Sequence, residues 1–208
     1  MSTLHLTLAL TFFNFTGNNA MRVLMTLYAL HLGASATVVG VIGGLLFLFP
    51  VLLSWVVGGL ADRKAARSLL LFAAGCAAVS LLLMYFFPAL PVFYVAAVLS
   101  GLALSFFHVT LQNLIGNLSK PEKRAHNFAN FSMIGAATSF AGPLITGLSI
   151  DHLGYAAACL VIAALSVVVI VLLLTLGRRL PPAQGRIKGA ATPRTWFDRS
   201  VVVMLITG

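Results

Sequence analysis

One arginine within an apolar stretch is the first feature of this sequence that could do chemistry. Arg22 belongs to a set of polar residues spaced three or four positions apart: Thr7, Thr11, Asn14, Asn18, Arg22 and Thr26. On a helix this spacing places the set within about a third of the circumference. Lipid does not tolerate such a stripe, so it must face protein or water. The stripe therefore predicts either a hydrogen-bonded seam between helices or the wall of a cavity.

The permanent charge of Arg22 leaves several partners open. No acidic residue lies near the middle of an apolar segment, and Asp151 lies at the end of one. Arg22 can therefore bind an anionic group of a solute, backbone carbonyls, or an acidic residue in another part of the protein. It can also extend its side chain to the membrane surface.

A second polar face contains a histidine. It is formed by Gly101, Ser105, His108 and Gln112, again at steps of three or four. Imidazole titrates near physiological pH. His108 is therefore predicted either to carry an exchangeable proton or to stay neutral in a hydrogen bond across a helix interface.

The elements that position these residues are those of a membrane protein. Of the 208 residues, 60% are hydrophobic and 8% are charged, and the mean hydropathy is +1.04. A soluble domain carries about a quarter charged residues. The net charge of +9 lies in short gaps between apolar segments rather than in one patch, which excludes nucleic-acid binding. Cys76 and Cys159 lie within apolar segments and are predicted to be small hydrophobic residues.

Membrane-crossing helices need about 20 mostly apolar residues. Six segments meet this requirement: 6–30, 37–60, 68–87, 91–118, 127–150 and 155–176. The predicted fold is therefore all-α and polytopic, with a six-helix unit at 1–176. A Pro-, Gly- and Arg-rich linker follows at 177–199, and a seventh helix starts at 200–208, where the sequence stops.

The basic residues give the predicted orientation in the membrane. Twelve of the 13 Lys and Arg residues lie after the second, fourth and sixth segments, and the other is Arg22. Because cytoplasmic loops carry the Lys and Arg excess, the N-terminus is predicted to be cytoplasmic.

The turn after the second segment carries a recognisable motif, GGLADRKAAR. It resembles the loop signature of the major facilitator superfamily of secondary transporters. It matches at Gly58, Leu60, Ala61, Asp62, Arg63 and Arg67 and departs at Ala65 and Ala66. The resemblance implies that Gly58, Asp62, Arg63 and Arg67 form a cytoplasmic latch between two transporter halves. Without the resemblance, the turn is a basic cytoplasmic loop.

A weaker copy of this motif follows 89 residues later, where Gly147 and Asp151 repeat the spacing of Gly58 and Asp62. The first copy ends the second segment and the other copy ends the fifth, as two inverted three-helix repeats of the six segments would produce. The fifth segment also contains Gly142, Pro143 and Gly147 in a pattern that resembles the fifth-helix signature of antiporters in the superfamily. Thr146 and Thr138 stand where that signature has glycine. Pro143 is predicted to kink the helix, for packing or for antiport.

The resemblance implies a secondary transporter of a small organic solute in a bacterial inner membrane, coupled to protons and directed to efflux. Its cavity would be lined by Asn14, Asn18, Arg22, Thr26, Ser105, His108 and Gln112. Two alternatives to efflux remain. One is uptake of an organic anion, and the other is a truncated membrane module that transports nothing. The partner would be a second half, either C-terminal or from a second copy. No phosphate loop, metal-ligand pattern or nucleophile–base signature is present, so neither an enzyme nor a cofactor is predicted.

Overall fold

The fold is a bundle of α-helices. The computed structural model describes residues 3–177 and 180, apart from the side chains at 3, 4, 62 and 63. The predicted linker and the start of a seventh helix therefore lie almost entirely outside the described residues. The helices are α1 Thr3–His31, α2 Ala36–Arg63, α3 Ala66–Phe86, α4 Leu90–Leu118 and α5 Pro121–Thr175. No strand occurs among the described residues, so the all-α prediction is confirmed.

Four of the five helices, α2 to α5, are long and apolar enough to cross a membrane. The 29-residue α1 is not among them, because its polar stripe lowers its hydropathy. The helix bounds agree with the predicted segments within a few residues, except at the start and in the middle of α5. The fifth segment was predicted from Asn127, but α5 begins at Pro121. Proline is favoured in a first helical turn, so the polar turn before Asn127 is also helical.

The 55-residue α5 is interrupted at a single residue, Gly154, which has φ 81° and ψ 171°. A positive φ of this size suits glycine because it has no Cβ. The sequence predicts residues 151–154 as a loop between two segments. The structure replaces that loop with this one non-helical residue. We call residues 121–153 arm α5a and residues 155–175 arm α5b.

Contacts with α1 show that the two arms run in opposite directions. Along α5a, the ring of Phe131 lies 5.3 Å from that of Phe15, and the Thr146 hydroxyl donates to the carbonyl of Ala20 at 2.9 Å. Along α5b the order is reversed. Tyr155 stacks on His31, near the end of α1, with ring centroids 4.3 Å apart. Further along, Val169 and Leu173 pack in the same cluster as Leu6 and Leu10. The chain therefore turns back at Gly154.

The core surrounds α1. One buried cluster lies around Met21, Leu24 and Met25, and a second lies around Leu6, Leu10 and Phe107. In contrast, only 11% of the membrane-length segment of α2 is buried, against 44% in α3 and α4. Helix α2 therefore presents most of its apolar surface outside the bundle, where lipid or another helix can cover it.

Two glycines allow neighbouring helices to pack closely. A Cβ on Gly142 would lie 2.6 Å from the Cβ of Asn19 and 2.7 Å from the backbone nitrogen of Ala20. A Cβ on Gly101 would lie 2.9 Å from the carbonyl oxygen of Leu46. These glycines therefore set the distances from α1 to α5a and from α2 to α4.

We expect Gly142→Ala to destabilise the protein by about 1–3 kcal/mol, because the added methyl group would push α1 away from α5a. The matched control is Gly147→Ala, where nothing lies within 4 Å of the added Cβ. Both changes alter helix propensity equally, so their difference isolates the clash. The measurement is the temperature at which the detergent-solubilised protein loses its monomer peak in size-exclusion chromatography. Equal midpoints for the two variants would contradict the close approach.

Candidate functional site

A cleft bordered by α1, α2, α4 and α5a contains two adjoining cavities. The first, the α4 chamber, has a volume of about 520 Å³ and reaches Ser105 and His108 on α4. The second, the Pro143 chamber, has a volume of about 460 Å³ and reaches Thr26 on α1 and Pro143 on α5a. Both volumes are within the range of small-molecule sites.

Arg22 lines both chambers. Its guanidinium carbon lies 4.8 Å from the centroid of the Phe47 ring, a cation–π contact. No acidic residue is among the described residues that line either chamber, and Arg22 is their one permanently charged side chain. Of the partners that the sequence left open, the described residues supply neither an acid nor a carbonyl acceptor for this guanidinium. Its charge is thus available to an anion that enters the cleft.

Ser105 contributes a hydroxyl without a protein partner to the α4 chamber. The residue is 2% exposed, and among the described residues its Oγ has no hydrogen-bond partner. An unpaired buried hydroxyl costs about 1–3 kcal/mol unless water or a ligand satisfies it. The position of Ser105 therefore favours a polar occupant of the α4 chamber.

His108 also lines the α4 chamber. Its Nε2 lies 3.3 Å from Nε2 of Gln112, one turn along the same helix. Its ring packs edge-on against Phe15 at 5.5 Å and lies parallel to Phe131 at 6.0 Å. The hydrogen bond is within α4, so the predicted alternative of a bond across a helix interface is not what the structure shows. Gln112 supports the histidine and does not itself line the chamber.

Part of the polar stripe of α1 is buried between helices, and part of it lines the cleft. Thr7 and Thr11 are fully buried, and the Thr11 hydroxyl donates to the Thr7 carbonyl at 2.8 Å. Asn18 lines the α4 chamber, and Thr26 lines the Pro143 chamber. Between these two groups, Asn14 is 7% exposed and its Oδ1 accepts from Nδ2 of Asn18 at 2.9 Å. One end of the stripe is therefore a buried seam and the other end is cavity wall.

Sequence reasoning missed several residues that line the cleft. Asn19 lines both chambers, and it lies three positions before Arg22 on the same helix face, which could have revealed it. Phe47 and Ser139 also line both chambers, yet no spacing in their own segments distinguishes them. Their position follows from how α2 and α5a pack against α1.

The fifth-helix motif packs against the same part of α1. Gly142 meets Asn19 and Ala20, as described above, and Thr146 is fully buried on Ala20. Pro143 lines the chamber that bears its name. The non-helical dihedral angles inside α5 occur at Gly154. A kink at Pro143 therefore stays a prediction.

Comparison with known proteins identifies the family. A family model described as Major Facilitator Superfamily matches residues 7–207. The chain belongs to the major facilitator superfamily. This is a superfamily of transporters rather than of enzymes.

Solved structures agree on the fold of this superfamily member. A POT family transporter in complex with a thioalcohol-conjugated peptide is similar, with a TM-score of 0.77 and 17% identity. A POT family transporter in complex with 5-aminolevulinic acid has the same TM-score and identity, and each match covers 98% of this chain and 45% of the other. The POT family transporter PepTSo matches with a TM-score of 0.71 and 20% identity, over 86% of this chain and 38% of its own. The chain thus spans less than half the length of these transporters. No curated protein sequence matches it.

The loop motif of the superfamily lies between α2 and α3. Arg67 donates from Nε to the carbonyl of Leu173 at 3.0 Å and from an Nη to that of Leu174 at 3.2 Å. The arginine thereby caps the last turn of α5b, where cations are favoured. The side chains of Asp62 and Arg63 lie outside the described residues, and Gly58 has nothing within 4 Å of a Cβ built on it. The latch role of the four residues therefore stays a prediction.

We expect Arg67→Ala to lower stability by about 1–3 kcal/mol, because the last carbonyls of α5b lose a charged donor. Lys64→Ala is the control: it removes a charge from the same turn, where Lys64 is exposed. The two variants can be compared by thermal loss of monomeric protein in detergent. A midpoint for Arg67→Ala that equals that of Lys64→Ala would show that these hydrogen bonds do not stabilise the bundle.

Proposed function

We propose that this protein is a secondary transporter that moves a small organic solute across the membrane by alternating access. The observation that carries the proposal is Arg22, a charge on the shared wall of two cavities for which the described residues supply no acidic partner. Membership of the superfamily adds support. A charge within a membrane segment marks a solute pathway by default.

The proposed architecture is six membrane crossings arranged as two inverted three-helix repeats. The opposite directions of α5a and α5b support counting them as two crossings. The turns that carry Lys and Arg would face the cytoplasm, with the N-terminus, in a bacterial inner membrane. The linker at 177–199 would lead to a seventh crossing.

A second half would close the cleft. The matched transporters are more than twice as long as this chain, and their length supports a C-terminal half rather than a second copy. Exposed apolar residues beside the cleft would lie against it, among them Trp55 on α2 and Phe140 on α5a. Rocking of the two halves would then expose the chambers to each side of the membrane in turn.

The solute we propose is a small organic molecule, and the wall of the cleft favours one with an anionic group. Arg22 would bind a carboxylate through paired hydrogen bonds, and the free hydroxyl of Ser105 would donate to a further oxygen. The phenyl rings of Phe15 and Phe47 offer apolar contact to the rest of the molecule. One of the similar structures is a complex with 5-aminolevulinic acid, which carries a carboxylate.

The direction we propose is proton-coupled efflux, on the resemblance of Gly142, Pro143 and Gly147 to the antiporter signature. His108 would carry the coupling proton, because its ring lines the α4 chamber within the same cavity as Arg22.

Uptake of an organic anion is the second candidate, and the charge of Arg22 is the observation that favours it. A truncated, non-transporting module is the remaining alternative. Absence of flux for every solute tested with the natural protein would favour it.

We expect Arg22→Gln to reduce carboxylate flux at least about tenfold, since the substitution removes the charge-assisted hydrogen bonds to the carboxylate and a tenfold change corresponds to about 1.4 kcal/mol. Arg22→Lys keeps the positive charge but loses the planar guanidinium that can bind a carboxylate through two hydrogen bonds. This variant should retain part of the flux. The measurement is flux of labelled 5-aminolevulinic acid and benzoate in proteoliposomes that contain the natural protein. Size-exclusion profiles would verify that each variant folds. Unchanged flux in Arg22→Gln would assign Arg22 a role at the membrane surface instead.

We expect His108→Gln to abolish solute movement driven by a pH gradient while exchange of labelled for unlabelled solute continues. Glutamine keeps a polar side chain at the chamber but cannot take up a proton. The control is Gln112→Ala, which removes the hydrogen-bond partner of His108 and leaves the imidazole able to titrate. Proteoliposomes with an imposed pH gradient provide the measurement. Gradient-driven accumulation that survives in His108→Gln would exclude this residue as the coupling site.

A further inference from the structure

We propose that Arg22 and Phe47 form a partition that divides the cleft into its two chambers, and that a bound anion opens it. The partition follows from geometry alone. Its role in transport rests on the proposed function. The pair is recognised from three observations: its position between the chambers, the weakness of the contact that holds it, and the lack of an acidic partner for Arg22 among the described residues that line the cleft.

The first observation is that the chambers are stacked along the helices and share four lining residues, Asn19, Arg22, Phe47 and Ser139. On α1, the α4 chamber begins at Phe15 and the Pro143 chamber ends at Leu27. At about 1.5 Å per residue, the two together extend roughly 18 Å along that helix. On α2 the order is reversed, because the α4 chamber reaches Ser54 and the Pro143 chamber reaches Gly43. Arg22 and Phe47 lie between these limits and line both chambers.

The second observation is that the pair comes from opposite walls of the cleft. Arg22 extends from α1 and Phe47 from α2, and the 4.8 Å cation–π contact spans the gap between these helices. Phe47 is 45% exposed, so its ring has open space into which it can turn. Helices α1 and α2 share few contacts elsewhere, which makes this bridge a distinct feature of the cleft.

The third observation is that, within the described part of the chain, the partner of the arginine is an aromatic ring. A ring face attracts a guanidinium less strongly than a carboxylate does, because the carboxylate carries a full charge and accepts two hydrogen bonds. An anion that enters either chamber therefore competes with Phe47 for Arg22. Once the guanidinium turns to the anion, the ring is no longer held and the two chambers join.

The inference can be tested with two cysteine reporters in the natural protein. Cys76 and Cys159, the free cysteines of the described chain, are first replaced by alanine. Thr26→Cys then reports on the Pro143 chamber and Ser54→Cys on the α4 chamber. A membrane-impermeant thiol reagent is added to oriented vesicles on the side from which Thr26→Cys reacts faster. The labelling rate of Ser54→Cys from that side measures passage across the partition.

We expect Phe47→Ala to raise the Ser54→Cys labelling rate about tenfold and to leave that of Thr26→Cys unchanged. Arg22→Gln should give the same increase, and the double variant should give no more, since either change removes the same bridge. The matched control is Phe86→Ala on α3. Phe86 is 65% exposed and lines neither chamber, so this variant should label as the parent does. Equal rates in the parent and Phe47→Ala would overturn the partition.

Benzoate, a carboxylate with an apolar body, tests the opening. At millimolar concentration it should raise the Ser54→Cys rate in the parent protein and have no effect in Arg22→Gln. If benzoate leaves the Ser54→Cys labelling rate unchanged, an anion does not open the partition, and Arg22 and Phe47 would separate the chambers permanently. Labelling requires no solute movement, so loss of flux with this labelling pattern intact would overturn the proposed function alone.

Discussion

The close contact between α1 and arm α5a is the constraint on which the rest of this structure depends. Gly142 has no side chain, and this allows the backbone of α1 to approach α5a at Ala20. The Thr146 hydroxyl fixes the approach by donating to the Ala20 carbonyl. With α1 held at this point, its rotation about its own axis is set. The end of the stripe with Thr7 and Thr11 is then buried, and the end with Arg22 faces the cleft. A small rotation of α1 would bury the charge without a partner.

Much of the fold could be predicted from the sequence, because the bilayer allows few solutions. Helix lengths follow from membrane thickness, and the 3.6-residue period places Asn18, Arg22 and Thr26 on one face. The same period placed Ser105 and His108 together on α4, and the structure brings both to one chamber. The helical period cannot predict which residue of another helix lies opposite Arg22. Phe47 occupies an apolar stretch like its neighbours, and only the packing of α2 against α4 at Gly101 brings it to Arg22.

The polar residues also differ in what they need from their surroundings. In a medium without water, backbone and side-chain groups must find partners within the protein. Most of the hydroxyls on these helices donate to a carbonyl of the preceding turn, as Thr11 and Ser149 do. Arg22 and Ser105, on the wall of the cleft, are exceptions among the described residues, and so is the buried hydroxyl of Thr110, which does not line the cleft. Polar groups without a partner are therefore present at the cleft but are not confined to it.

The reversal of α5 at Gly154 affects how the bundle can deform. Both arms pack on α1, yet only one residue joins them, and its backbone has left the helical region. A change in the angle between the arms is therefore concentrated in two dihedral angles instead of being spread along a loop. Beside this point, Tyr155 stacks on His31 and Tyr28 and resists such a change. The angle between the two arms can therefore change at Gly154, and the ring stacking beside it opposes that change. The balance of the two limits how far a movement at the cleft alters the packing at the other end of the helices.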